Sequence, residues 1–111
     1  MATGLLLEFQ GVGEKEYERL IDLLRVDQNP AQGGILHSAG PIPNGWRVFN
    51  IWESRDSYEK FYNERIAPAL KQLGIPNPSR KEYFPIHNAN VMQPSALSTL
   101  NVLGVATASR R

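Results

Sequence analysis

The run from Gly34 to Ser57, GILHSAGPIPNGWRVFNIWESRDS, restricts the fold more than any other part of the chain. Two stretches, Ile35 to Ala39 and Trp46 to Glu53, flank a Gly/Pro/Asn turn from Gly40 to Gly45, and this pattern predicts a β-hairpin. Ser54 then offers a hydroxyl oxygen to an orphan N–H of a following helix, and Asp56 places favourable charge in its first turn. The same run gathers His37, Asn50, Trp46 and Trp52 into one small unit. Polar groups beside large apolar rings are what a small-molecule pocket requires.

The flanking sequence extends the hairpin into a fold. Leu5, Leu7 and Phe9 alternate with Leu6, Glu8 and Gln10, which predicts a first strand ended by Gly11 and Gly13. Tyr17, Leu20, Ile21 and Leu24 recur at helical spacing and predict a helix from Glu14 to about Arg25. The helix opened by Ser54 carries Tyr58, Phe61, Tyr62, Arg65, Ile66 and Ala69 on one stripe. Pro68 should kink it or start a second short segment, and Gly74 stops it. Tyr83 to Val91 predicts a last strand, with Pro85 marking an edge or a bulge.

The order β-α-β-β-α-β is the ferredoxin-like split βαβ motif, an α+β fold with a four-stranded antiparallel sheet and both helices on one face. On the third strand Trp46, Val48 and Trp52 point one way while Phe49 and Ile51 point the other, so both faces call for burial. Two helices cover one side, and a second copy of the chain is the expected cover for the other. A homodimer through the sheets is therefore expected. The domain should span 1–92. The tail 93–111, whose Leu97, Leu100, Val102, Leu103 and Val105 follow no sustained period, should lie outside the core, with wrapping over a partner subunit as one role for it.

Composition narrows the function classes. A chain of 111 residues with a formal charge of +1 gives no electrostatic case for binding nucleic acid or an anionic membrane. The absence of cysteine excludes disulfides, a thiolate nucleophile and cysteine-held metal, and suits a reducing cytoplasm. The apolar run Leu5 to Leu7 is too short for a signal peptide or a membrane span, so a soluble cytoplasmic protein is expected. His37 and His87 sit on different predicted strands with no HxH or HExxH spacing, so no metal is expected. Gly11, Val12 and Gly13 lack the third glycine and the lysine of a phosphate loop, and Ser38, Ser54 and Ser57 lack a nucleophile-elbow context.

A turn symmetric about Pro41 to Asn44 would set Ala39 opposite Trp46, His37 opposite Val48 and Ile35 opposite Asn50. His37, Trp46, Asn50 and Trp52 would then share a face, unless a one-residue bulge scatters them. Read as chemistry, His37 is a base, Asn50 an oxyanion donor and Trp52 an aromatic wall, with Trp46, Tyr58, Phe61, Arg65, Tyr83 and His87 available to bind substrate. Read as architecture, the histidines are partly buried or surface groups and the aromatics are core. Arg65 then pairs with Glu64 or a partner carboxylate.

On GILHSAGP followed by GWRVFNIWES, on the helix start SYEKFYNERIAPAL and on the element order, the chain from Leu5 to about Val91 resembles the dimeric α/β-barrel superfamily. That superfamily includes the antibiotic-biosynthesis monooxygenase-like proteins. The resemblance implies two ferredoxin-like subunits whose sheets combine into a barrel, each with a cavity between sheet and helices. Some relatives oxidise polyketide quinol precursors with molecular oxygen and neither metal nor flavin, while others degrade haem, isomerise lactones or have no known activity. The haem-degrading branch uses an asparagine on strand one and a histidine late in helix two. Here strand one offers Glu8 and Gln10, and Lys71 and Gln72 occupy the helix end. The resemblance thus implies a cofactor-independent oxygenase for phenolic or quinol compounds, with no cofactor and with itself and a small organic molecule as partners. The alternative is a non-catalytic ligand-binding or stress-response module.

Overall fold

Leu5, Leu7 and Phe9 alternate along β1 (Thr3–Gln10) and all three are buried, Leu5 completely. A leucine so buried contributes on the order of 2 kcal/mol relative to exposure, and β1 is accordingly a central strand of the sheet. The computed structural model describes residues 1–100. Among these, α1 (Glu14–Leu24) follows β1, then the hairpin β2 (Gly34–Ile42) and β3 (Gly45–Trp52), then α2 (Arg55–Phe61). A π-helical turn (Tyr62–Ile66), α3 (Ala67–Leu73), β4 (Arg80–Pro85) and a 3-10 turn (Pro94–Thr99) complete the described chain. The strand order is β2-β3-β1-β4 and every pairing is antiparallel. This is the ferredoxin-like α+β architecture expected from the sequence. The helices supply Leu24, Tyr58, Phe61, Ala69 and Leu70 to the core on one face of the sheet.

Helix boundaries follow from local chemistry. The Gly13 N–H donates to Glu16 Oε1 at 2.8 Å, closing the N-terminus of α1. The Ser57 N–H donates to Ser54 Oγ at 3.0 Å, which is the cap expected for α2. Pro68 opens a second short segment, as expected: the ladder before it loosens into the π turn, and the proline sits in the first turn of α3, where a missing N–H is tolerated. Gly74, at φ 71°, ends the helix in the left-handed conformation.

Three sequence expectations are corrected. The hairpin turn is shorter than Gly40 to Gly45: β2 runs on to Ile42, which pairs with Gly45, leaving only Pro43 and Asn44 in the turn. Pro41 is tolerated because β2 is an edge strand, so its missing N–H breaks no ladder. The register consequently shifts by two, placing His37 opposite Asn50, Ala39 opposite Val48 and Pro41 opposite Trp46. A two-residue shift preserves the side-chain face. A bulge does occur, between Gly34 and Leu36, but it precedes His37 and leaves the pairing from Leu36 to Ile42 regular.

The last strand is Arg80–Pro85 rather than Tyr83 to Val91. It begins early because the Ser79 N–H donates to the Glu8 carbonyl at 2.8 Å and Arg80 reaches the Glu8 carboxylate at 3.3 Å. It ends at Pro85, and His87 lies beyond it, exposed and off the sheet. The tail residues 101–111, with Val102, Leu103 and Val105, lie outside the described residues.

The sheet face opposite the helices carries Leu6, Phe49, Ile51 and Phe84. Phe49 and Phe84 stack with centroids 5.9 Å apart, a contact that Gly4 permits because a Cβ there would collide with the Phe84 ring. Glu8 binds Arg47 at 2.9 Å on the same face. No helix among the described residues is long and apolar enough to cross a membrane.

Candidate functional site

The packing of α1 against β1, β2 and β3 is incomplete and leaves a cavity of about 260 Å³. Pockets that hold small molecules start at roughly 300 Å³, so this one suits a compact ligand. Its walls are mostly apolar: Leu7 and Phe9 from β1, Tyr17, Leu20 and Leu24 from α1, Trp46, Val48 and Trp52 from β3, with Phe61 and Ile66 from the second helical region. Phe61 immediately precedes the π turn and Ile66 ends it, and both reach this space.

The polar groups of the cavity form a connected chain. His37 Nδ1 lies 2.8 Å from the Asn50 side-chain amide, directly across the β2–β3 pair. His37 Nε2 lies 2.6 Å from Tyr17 Oη on α1. One orientation of the Asn50 amide satisfies all its neighbours: Nδ2 donates to His37 Nδ1 at 2.8 Å and to the Phe49 carbonyl at 3.2 Å, while Oδ1 accepts from Trp52 Nε1–H at 3.3 Å. The opposite orientation would set oxygen against oxygen at Phe49 and N–H against N–H at Trp52. Asn50 is only 6% exposed, so such mismatches would be costly there.

Electrostatics agree with a neutral His37. Although one flank of the residue is open to solvent, protein atoms crowd the ring and desolvation lowers its pKa. An Asn50 oxygen on Nδ1 would favour the imidazolium; the N–H that Trp52 requires there disfavours it, since protonation of Nδ1 would sacrifice that bond. Desolvation also raises the Tyr17 pKa above the usual phenol value, with the Glu18 charge acting in the same direction, so the hydroxyl stays protonated.

Of the residues expected from the sequence, His37, Asn50, Trp52, Trp46 and Phe61 meet at this cavity. Others are placed elsewhere. Tyr58 is buried beneath α2, edge-on to Trp52 at 5.4 Å, and its hydroxyl has no hydrogen-bond partner. Tyr83 donates to the Glu59 carboxylate and lies under the Arg55 guanidinium at 4.3 Å. Arg65 Nη2 donates to the Leu24 carbonyl at 2.5 Å and Nη1 to the Pro30 carbonyl at 3.5 Å, so this cation closes the end of α1 rather than facing the cavity. Trp46 lines the space, while its indole N–H has neither a partner nor solvent contact.

The residue missing from the sequence reading is Tyr17. It is one of four positions on the core-facing α1 stripe, yet unlike the other three it carries a hydroxyl that seeks a partner, and that was the available signal. Among the described residues, no cluster of three or more His, Cys, Asp or Glu is placed to hold a metal.

The arrangement of sheet and helices matches solved structures. A protein from Chloroflexus aurantiacus, provisionally named an antibiotic biosynthesis monooxygenase, aligns over 81% of this chain and 98% of its own with 13% identity and a TM-score of 0.58. SnoaB, a cofactor-independent oxygenase from Streptomyces nogalater, aligns over 79% and 95% with 13% identity and a TM-score of 0.58. NE2512 from Nitrosomonas europaea, a protein of unknown function, aligns over 83% and 95% with 18% identity and a TM-score of 0.63. The chain shares its fold with these proteins. At these identities the likeness is one of fold, and the sequence matches no family profile and no curated protein. Within this fold, the Tyr17–His37–Asn50–Trp52 chain is the feature of the present cavity with chemical capacity.

Proposed function

We propose that this protein binds a compact, flat, mostly apolar organic molecule in the α1–sheet cavity and acts on it as a cofactor-independent oxygenase of phenolic or quinol compounds. The observation that carries this reading is a largely apolar cavity whose polar side chains are linked into one hydrogen-bonded chain. Such a site excludes water from an aromatic ring while holding its oxygen at a fixed point. The substrate anion would pass an electron to molecular oxygen, and collapse of the resulting pair would form the C–O bond. Loss of water from the hydroperoxide would leave a carbonyl, so one oxygen atom enters the product and the other leaves as water. SnoaB, named as an oxygenase of this kind, has the same fold and supports the reading by analogy.

Oxygen uptake with a panel of polyphenols in metal-free buffer tests the activity. Wild type should consume oxygen, and His37→Ala should lose at least tenfold of the rate. Equal inertness of both proteins across the panel would remove the oxygenase reading. A second reading, a non-catalytic ligand-binding module, draws on a specific observation: both His37 nitrogens and both Asn50 N–H groups are already engaged within the protein. A quinol that raises the melting temperature without turnover would select this reading.

We further propose that the protein works as a cytoplasmic homodimer joined through the sheet face bearing Leu6, Phe49, Ile51 and Phe84, two such sheets forming a barrel. Phe84 is 38% exposed in the single chain, and an aromatic stack left in solvent is the kind of patch a second copy covers. Sedimentation at micromolar concentration should report a dimer, and Phe49→Glu should weaken it by about a hundredfold, as loss of a central aromatic anchor does. A wild-type monomer at that concentration would overturn the assembly.

A further inference from the structure

The hydrogen bonds at the cavity all run in one direction. Trp52 Nε1–H donates to Asn50 Oδ1, and Asn50 Nδ2–H donates to His37 Nδ1. With Nδ1 acting as acceptor and the ring neutral, the proton of His37 sits on Nε2 and is donated to Tyr17 Oη at 2.6 Å. Tyr17 accepts that bond through a lone pair, so its own O–H remains available as the end of the chain. Trp52 starts the sequence because an indole N–H can only donate, and the Phe49 carbonyl fixes the amide because a carbonyl can only accept. Two fixed partners thus set the tautomer of a histidine one residue pair away.

We propose that Tyr17 is the ligand-contacting donor of this cavity, that Asn50 and His37 are positioning residues which aim it, and that the cavity selects a ligand presenting a hydrogen-bond acceptor, a carbonyl or phenolate oxygen. The proposal rests on the reading of the cavity as a ligand site and gives that site its chemical preference. Bonds arranged head to tail polarise one another, which strengthens the terminal O–H as a donor. In this arrangement His37 has no free lone pair for a ligand proton, and Asn50 has no free N–H for an oxyanion. The oxygen of an already ionised phenol, or of its keto tautomer, therefore meets Tyr17.

Two bicyclic probes of nearly the same shape test this: α-tetralone, which carries one carbonyl acceptor, and tetralin, which carries none. Binding is followed by quenching of tryptophan fluorescence. In wild type α-tetralone should bind about tenfold more tightly than tetralin, and Tyr17→Phe should erase that ratio while leaving tetralin affinity intact. Retained tetralin binding shows that the variant keeps its cavity. Asn50→Asp, whose oxygens can only accept, should place a proton on His37 Nδ1; at a pH high enough to keep that ring neutral, the Tyr17 O–H should turn back toward Nε2 and the same ratio should vanish. Nitrogen NMR of the histidine ring reads that transfer directly, with the proton on Nε2 in wild type and on Nδ1 in the variant. Survival of the α-tetralone preference in Tyr17→Phe, or a wild-type proton on Nδ1, would overturn the proposal while leaving the cavity as a ligand site. Failure of tetralin itself to bind wild type would overturn both.

Discussion

The two halves of this domain solve the same packing problem differently. Under α2 and α3 the interior is filled: Tyr58 is 1% exposed and Leu70 2%, with Trp52, Phe61 and Tyr83 around the Tyr58 ring or its neighbours. Beneath α1 the interior is open, and Leu20 and Tyr17 border empty space. The polar chemistry divides along the same line. In the filled half Tyr83, Glu59, Lys81 and Arg55 form a charged cluster away from the α1 cavity, while in the open half Tyr17, His37 and Asn50 form a neutral chain beside it. Charges that need only each other stabilise structure locally. Neutral donors and acceptors lined up beside a void leave one bond to be completed by something else.

A matched pair of substitutions puts this contrast to its most demanding test. Leu70→Ala removes a leucine enclosed on all sides and should cost roughly 3–4 kcal/mol, because the surrounding core cannot close over the hole. Leu20→Ala makes the same chemical change at a wall that already faces empty space, and should cost only about 1–2 kcal/mol. Urea unfolding of the two variants measures the difference. Equal losses would mean that the space beneath α1 closes in solution, and the distinction between the halves would fail.

Legibility in the sequence also differed between regions, for physical reasons. Strand β1, helix α1, the hairpin and the Ser54 cap all depend on residues close together in the chain, and local periodicity and capping chemistry exposed them. The extent of β4 depends on Glu8, 71 and 72 positions away, accepting from Ser79 and pairing with Arg80. No local pattern in Arg80–Glu82 carries that information. The hairpin register was misread because a proline in a strand usually signals its end, whereas on the β2 edge Pro41 sits in the ladder without penalty. At the site, the face shared by His37, Asn50 and the tryptophans was readable because strand alternation survives a two-residue slip. Tyr17 was not, since its meeting with His37 depends on how α1 lies over the sheet.

The smallest expected effect separates the halves by pH. Desolvation lowers the His37 pKa from its ordinary value of 6.5, so between that value and the folded-state value the unfolded chain binds the extra proton. Stability from this group is therefore complete above pH 6.5 and declines as the pH falls through the folded-state value. The filled half responds later. Hydrogen bonding from Tyr83 holds the Glu59 carboxyl below its ordinary value of 4.5, so its contribution is present above that value and lost only in stronger acid. Glu16, whose carboxyl is lowered chiefly by the Gly13 N–H, joins that acid window from the other side of the molecule. Melting temperatures followed downward in pH should thus decline in two stages, with His37→Gln removing the first and Glu59→Gln diminishing the second. A single acid transition that His37→Gln leaves unchanged would mean that the imidazole is as easily protonated in the folded chain as in the unfolded one. Nδ1 would then not be receiving the Asn50 N–H.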